Sequence, residues 1–85
     1  MDEPLIGVLL VDDHDMVAHA LASALIAEGD FLVVGTARST TEALVAVSEH
    51  RPQVVLLDLR LGDGDDSTAA IPEFLQRSPD SKILV

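Results

Sequence analysis

The first apolar stretch, Leu5-Ile6-Gly7-Val8-Leu9-Leu10-Val11, carries no polar side chain. That is the pattern of a strand buried on both faces rather than one alternating between core and water. Polar Asp12-Asp13-His14-Asp15 follows, and Val17, Leu21, Ala24, Leu25 and Glu28 then fall at helical spacing. Asp15 is suited to cap the start of this helix and Gly29 its end. Phe31-Leu32-Val33-Val34-Gly35-Thr36-Ala37 reads as a second strand. Ser39-Thr40-Thr41-Glu42 has the form of a capping box, with Ser39 as N-cap, and opens a helix carrying Ala43, Leu44 and Val47. This helix should stop before Pro52, and residues 53–58 form a third strand. A polar, glycine-bearing loop covers 62–67, and a third helix runs to about Arg77. It must start late, near Thr68 to Ile71, so that Pro72 lies in or beside its first turn, where a missing N–H costs nothing. Ser78-Pro79-Asp80-Ser81 is a turn, and Lys82-Ile83-Leu84-Val85 begins a fourth strand.

Strands of buried type alternating with helices over short loops imply a parallel sheet with helices on both faces, an α/β doubly wound architecture. Eighty-five residues accommodate one domain. Apolar residues make up 48% of the chain, which excludes intrinsic disorder, and with only Phe31 and Phe74 as aromatics the core must be aliphatic. Without cysteine there is no disulfide scaffold, thiolate metal site or thiol nucleophile. No apolar run approaches the roughly 20 residues that cross a bilayer, and the acidic start is unlike a secretory leader, so a soluble cytoplasmic domain is expected. Five Lys/Arg against 15 Asp/Glu give a net charge of −10. Such a field repels nucleic acid, so any action on DNA must belong to a region outside this sequence.

The candidate chemistry lies where strands end, because open parallel sheets bind ligands beyond the carboxyl ends of their strands. The first strand ends in Asp12-Asp13 and the third in Asp58. If these strands are neighbours, as in the common 2-1-3-4 order, three carboxylates share one pocket. Their repulsion is relieved by protons or by a cation, and an all-oxygen, water-rich site suits Mg²⁺. A cation held there would shield one carboxylate against an incoming phosphoryl group and let it act as nucleophile. Asp58, a lone acid after a strongly apolar strand, is the candidate acceptor, with Asp12 and Asp13 serving the metal.

Val-Asp-Asp-His at 11–14 and Leu-Leu-Asp-Leu-Arg-Leu at 56–61, set in this order of elements, resemble the receiver domain of bacterial two-component response regulators. Val33–Ala37 followed by Glu42-Ala43-Leu44 further resembles the NarL/FixJ-like subgroup, whose members usually carry a C-terminal LuxR-type helix-turn-helix. The resemblance covers essentially the whole chain and implies a flavodoxin-like receiver fold over residues 1–85. It implies that Asp58 accepts a phosphoryl group from a sensor histidine kinase. Asp13 would bind Mg²⁺ directly, Asp12 would act through water, and the backbone carbonyl of Arg60 would complete the protein ligands. The expected output is transcription, through DNA binding elsewhere; a homodimer is the other expected partner, and no membrane is. The domain is a phosphoacceptor rather than an enzyme.

The departures from the family pattern are specific. Gly62 stands where proline is common, and Asp65-Asp66 where Asp-Gly is common, changes expected to alter loop rigidity rather than chemistry. The Ser/Thr and Lys that contact the phosphoryl group in complete receivers, and the final helix, strand and helix, are not in the sequence. Lys82 opens the fourth strand at the wrong end of the sheet to replace that lysine. The expectation is therefore the N-terminal part of a longer receiver, with an exposed apolar edge at the fourth strand and an uncovered sheet face beside the first helix. The alternative is a truncated or degenerate receiver that serves as a non-switching interaction module. An aspartyl phosphatase would carry a second Asp where Arg60 stands, and a dinucleotide site would need a Gly-x-Gly-x-x-Gly after the first strand. Of the histidines, His14 is expected to shape the start of the first helix, His19 to lie on its exposed face and His50 to meet the dipole at the end of the second.

Overall fold

The structure is a computed structural model and describes residues 5–59, 61 and 67–85. The chain forms β1 (Ile6–Val11), α1 (Asp15–Glu28), β2 (Phe31–Ala37), α2 (Thr40–His50), β3 (Val54–Leu57), a 3-10 turn (Ser67–Ala70), α3 (Ile71–Arg77) and β4 (Lys82–Leu84). The strands are all parallel in the order β2-β1-β3-β4, the order that brings the ends of the first and third strands together. Side chains alternate across the sheet. Leu9, Val11, Val55 and Leu57 pack with Ala43 and Val47 of α2 and Phe74 of α3 into the main core. Leu10 and Leu56 face the opposite side, where they line a groove with Leu21 of α1. Helices therefore cover both faces, as the alternation of elements predicts.

Local chemistry sets most of the boundaries. Ser39 Oγ accepts the Glu42 N–H at 3.1 Å, the expected N-cap bond of α2. The Glu42 carboxylate reaches back to the Arg38 N–H at 3.2 Å, one residue before the cap rather than to the cap itself. Gly29 takes a φ of 84° at the end of α1, a left-handed turn that a residue without Cβ adopts at no steric cost. Pro72 lies in the first turn of α3.

The structure corrects one sequence expectation and adds two features the sequence does not show. The N-cap of α1 is His14, not Asp15; Asp15 is the first helical residue, and its carboxylate pairs with Arg38 at 3.2 Å. The third helix is preceded by a 3-10 turn that begins at Ser67. The ladder between β1 and β2 is not regular: Val8 pairs with Val33 but Leu9 with Gly35, so β2 spends one extra residue at Val34. Gln53 lies just before β3 and Asp58 just after it, and both still join the sheet by hydrogen bonds. The Gln53 N–H donates to the Gly7 carbonyl at 3.0 Å while its side-chain oxygen accepts the Gly7 N–H at 2.6 Å.

Among the described residues, an apolar surface beyond α1 on its side of the sheet stays open. A groove of about 250 Å³ runs along Leu10, Leu21, Leu56, Leu84 and Val85, and Leu84 and Val85 are exposed. This is the uncovered face expected beside the first helix. Among the described residues no helix is long and apolar enough to cross a membrane.

Candidate functional site

Two ladder bonds bring the acids together. The Asp12 N–H donates to the Ala37 carbonyl at 2.9 Å, and the Asp58 N–H donates to the Val11 carbonyl at 2.9 Å. Because Val11 pairs with Leu57, the residues that follow them leave the sheet side by side. Carboxylate oxygens of Asp12, Asp13 and Asp58, together with a ring nitrogen of His14, all lie within 4.8 Å of one another. The three side chains are mostly withdrawn from water, at 14% exposed for Asp12, 25% for Asp13 and 27% for Asp58, which strengthens every charge interaction among them.

Asp12 also organises the turn into α1. Its Oδ1 accepts the His14 backbone N–H at 2.8 Å, an Asx-type turn, and meets the His14 ring Nδ1 at 2.9 Å. The same Nδ1 stands 3.1 Å from Asp13 Oδ1 and 3.7 Å from Asp58 Oδ2. His14 thus does shape the start of the helix, and its ring also caps the acid trio. The hydrogen bond to Asp12, followed by the charges of Asp13 and Asp12, holds the His14 imidazolium above its ordinary range, and Asp58 adds to this in the same direction. Asp13 Oδ1 is buried and receives no hydrogen bond.

A buried carboxylate oxygen with no donor, in a set of hard oxygen donors this close, fits a divalent cation of the Mg²⁺ type. Asp12, Asp13 and Asp58 are the side chains that could hold it. Arg60, whose carbonyl was expected to join them, lies outside the described residues, as do Gly62, Asp65 and Asp66. Lys82 pairs with Val54 at the far end of β3, away from the acids.

Ser67 is the site residue that sequence reading misses. It is 2% exposed, and its hydroxyl donates to the carbonyls of Asp58 and, at 3.0 Å, of Leu59. Its N–H donates to the Leu59 carbonyl as well, at 3.0 Å. The serine therefore ties the start of the 3-10 turn to the backbone at Asp58. A serine in a polar loop gives no local sign of such a contact.

The site can bind a cation and present Asp58 to an electrophile. A family model described as the response regulator receiver domain matches residues 8–85. Among curated proteins, the chain is similar to the DNA-binding transcriptional activator DevR/DosR of Mycobacterium tuberculosis (strain ATCC 25618 / H37Rv), with 40% identity over 81 residues, 95% of this chain and 37% of that protein. The chain spans little more than a third of the curated relatives it matches. Among solved structures, the response regulator PhyR from Brucella abortus superposes with a TM-score of 0.84 at 26% identity, covering 95% of this chain and 32% of that one. A response regulator from Burkholderia pseudomallei, solved with a phosphorylated aspartic acid, calcium ion and citrate, gives a TM-score of 0.82 at 28% identity, covering 92% of this chain and 44% of that one.

Proposed function

The chain belongs to the response regulator receiver domain family, and from that premise we propose that it is a phosphoacceptor whose Asp58 takes a phosphoryl group from a sensor histidine kinase. The observation that carries this reading is the convergence of Asp12, Asp13 and Asp58 at the ends of two adjacent strands. An Asp58 carboxylate oxygen forms the bond to phosphorus. The bond from phosphorus to the donor histidine nitrogen breaks, and that nitrogen keeps the electron pair and takes up a proton. Asp13 would hold Mg²⁺, with Asp12 acting through water and the Arg60 carbonyl as a further ligand, and the ion would supply charge neutralisation for the acids and the incoming phosphoryl group. Asp12 fixes the turn that presents Asp13, while Ser67 and the Val11 carbonyl hold the acceptor's backbone.

That the similar Burkholderia pseudomallei response regulator was solved with a phosphorylated aspartic acid and a calcium ion supports this reading. The DNA-binding relative supports transcription as the output. With a net charge of −10 these residues are ill suited to grip DNA, so that contact would belong to a further region, with the receiver acting in the cytoplasm. A second reading, a non-switching interaction module, draws support from the apolar groove whose rim includes Asp12 and Asp58.

Intact-mass measurement after treatment with acetyl phosphate, with and without Mg²⁺, separates the two. The expected result is one Mg²⁺-dependent phosphoryl adduct that Asp58→Ala abolishes. An undiminished adduct in that variant sinks the assignment, and a folded chain that never reacts favours the interaction module.

A further inference from the structure

The acid cluster contains one donor that phosphoryl acceptance does not use. His14 Nδ1 stands 2.9 Å from Asp12 Oδ1 and 3.1 Å from Asp13 Oδ1. With bonds of about 2.1 Å, adjacent ligands of a six-coordinate ion lie roughly 3.0 Å apart and opposite ones roughly 4.2 Å. The 3.1 Å to Asp13 Oδ1 matches adjacent ligands, the 3.7 Å to Asp58 Oδ2 lies between the two limits, and the 2.9 Å to Asp12 Oδ1 is the hydrogen bond that holds the ring at the site. The imidazole nitrogen is therefore spaced from Asp13 as a fellow ligand would be. Asp13 Oδ1, buried and without a hydrogen bond, belongs to the same group.

We propose that His14 is a ligand of the metal site formed by Asp12, Asp13 and Asp58, and that it turns the site's preference from Mg²⁺ toward the borderline divalent ions Mn²⁺, Co²⁺, Ni²⁺ and Zn²⁺. This rests on the reading that these acids hold a divalent cation. Mg²⁺ takes oxygen and water and gains little from an imidazole, whereas first-row transition ions bind nitrogen well. The ring is 66% exposed, so it can turn toward a bound ion without disturbing the core. Its backbone is anchored by the His14 N–H bond to Asp12, which keeps the residue over the site while the ring moves. Three carboxylates alone would order metals chiefly by charge and size; the added nitrogen makes the order follow ligand softness as well.

The test is calorimetric titration of the chain with Mg²⁺, Mn²⁺ and Co²⁺, using wild type, His14→Ala and His14→Gln. In both variants Co²⁺ affinity should fall about tenfold or more, the scale on which changes around a metal site act, while Mg²⁺ affinity stays nearly constant. Proton NMR of the Co²⁺ form should show paramagnetically shifted ring signals that vanish in His14→Ala and persist in His19→Ala and His50→Ala. A Co²⁺-to-Mg²⁺ preference unchanged in both His14 variants overturns the proposal and leaves the acid site standing. Failure of wild type to bind any of the three ions overturns the underlying metal reading itself. Co²⁺ binding that survives Asp13→Ala undiminished puts the ion elsewhere and also overturns it.

Discussion

Replacing Ser67 by alanine removes one hydroxyl from a 2% exposed position and nothing else of size. In the native chain that hydroxyl's proton serves the Asp58 and Leu59 carbonyls, while the Leu59 carbonyl also receives the Ser67 N–H. The loss therefore falls mainly on the Asp58 carbonyl, which must give up a buried donor. Losing a partner from a buried polar group costs about 1–3 kcal/mol; sharing of the bond suggests the lower half, about 1–2 kcal/mol. A domain of this size loses about 4–8 °C of Tm per kcal/mol, so thermal unfolding of Ser67→Ala should begin to show a fall of about 5–15 °C. The Asp58 peptide would also lose one of its restraints, so on the proposed function phosphorylation by acetyl phosphate should slow at temperatures where the variant is fully folded. Circular dichroism gives the first quantity, and the rate of appearance of the phosphoryl adduct gives the second. An unchanged Tm together with an unchanged rate would refute the claim that Ser67 clamps the backbone at Asp58.

Three further perturbations test other parts of the structure. Phe74 is fully buried between the helices and the sheet, so Phe74→Ala should cost about 3–5 kcal/mol, a large share of the stability of so small a domain; a denaturant midpoint within error of wild type would contradict its place at the centre of the core. Gln53→Ala takes the 2.6 Å acceptor from the Gly7 N–H and should lower stability by about 1–2 kcal/mol, whereas Gln53→Glu, which keeps an acceptor oxygen, should lose less; equal losses would argue against the bond. The His14 pKa, followed by NMR, should lie above the ordinary 6.5 and fall toward it in Asp12→Asn; a value that ignores the substitution contradicts the leading cause. Because folding raises this pKa, the stability it adds is complete below about 6.5 and is lost as pH rises through the folded value, and solvent around the exposed ring keeps it small.

The parts of the fold that the sequence makes legible are those governed by local rules. An uninterrupted apolar run marks β1, the Ser39 cap opens α2, Gly29 closes α1, and Pro72 delays α3, each because the residue itself restricts the backbone near it. The three acids were legible for a related reason: each follows a strand, and strand ends are where parallel sheets place polar groups. What stayed hidden depends on contacts between distant residues. Nothing near Gln53 indicates that its amide will reach Gly7, nor does Ser67 announce its hold on Asp58. The extra residue at Val34 is invisible because Val33 and Val34 are equally apolar, so the pattern cannot say which way either faces. The N-cap of α1 shifted from Asp15 to His14 because Asp12, two residues earlier, already supplies the carboxylate that closes the turn. His14's approach to all three acids follows from that turn and could not be inferred before it.

The way Asp12 and Asp58 are tied to the sheet has a consequence for how the molecule opens. Their amide protons are both donated into ladders that include the central strand β1, to Ala37 and to Val11. β4, by contrast, is three residues long and among the described residues pairs only with β3. Local fluctuations start where the pairing is thinnest. Amide exchange with deuterated solvent should therefore be fast over Lys82–Leu84 and slow at Asp12 and Asp58, whose protons escape only when the middle of the sheet comes apart. The acids then keep their mutual spacing through openings that release the whole β4 edge, so that edge can be remodelled without dismantling the acid cluster.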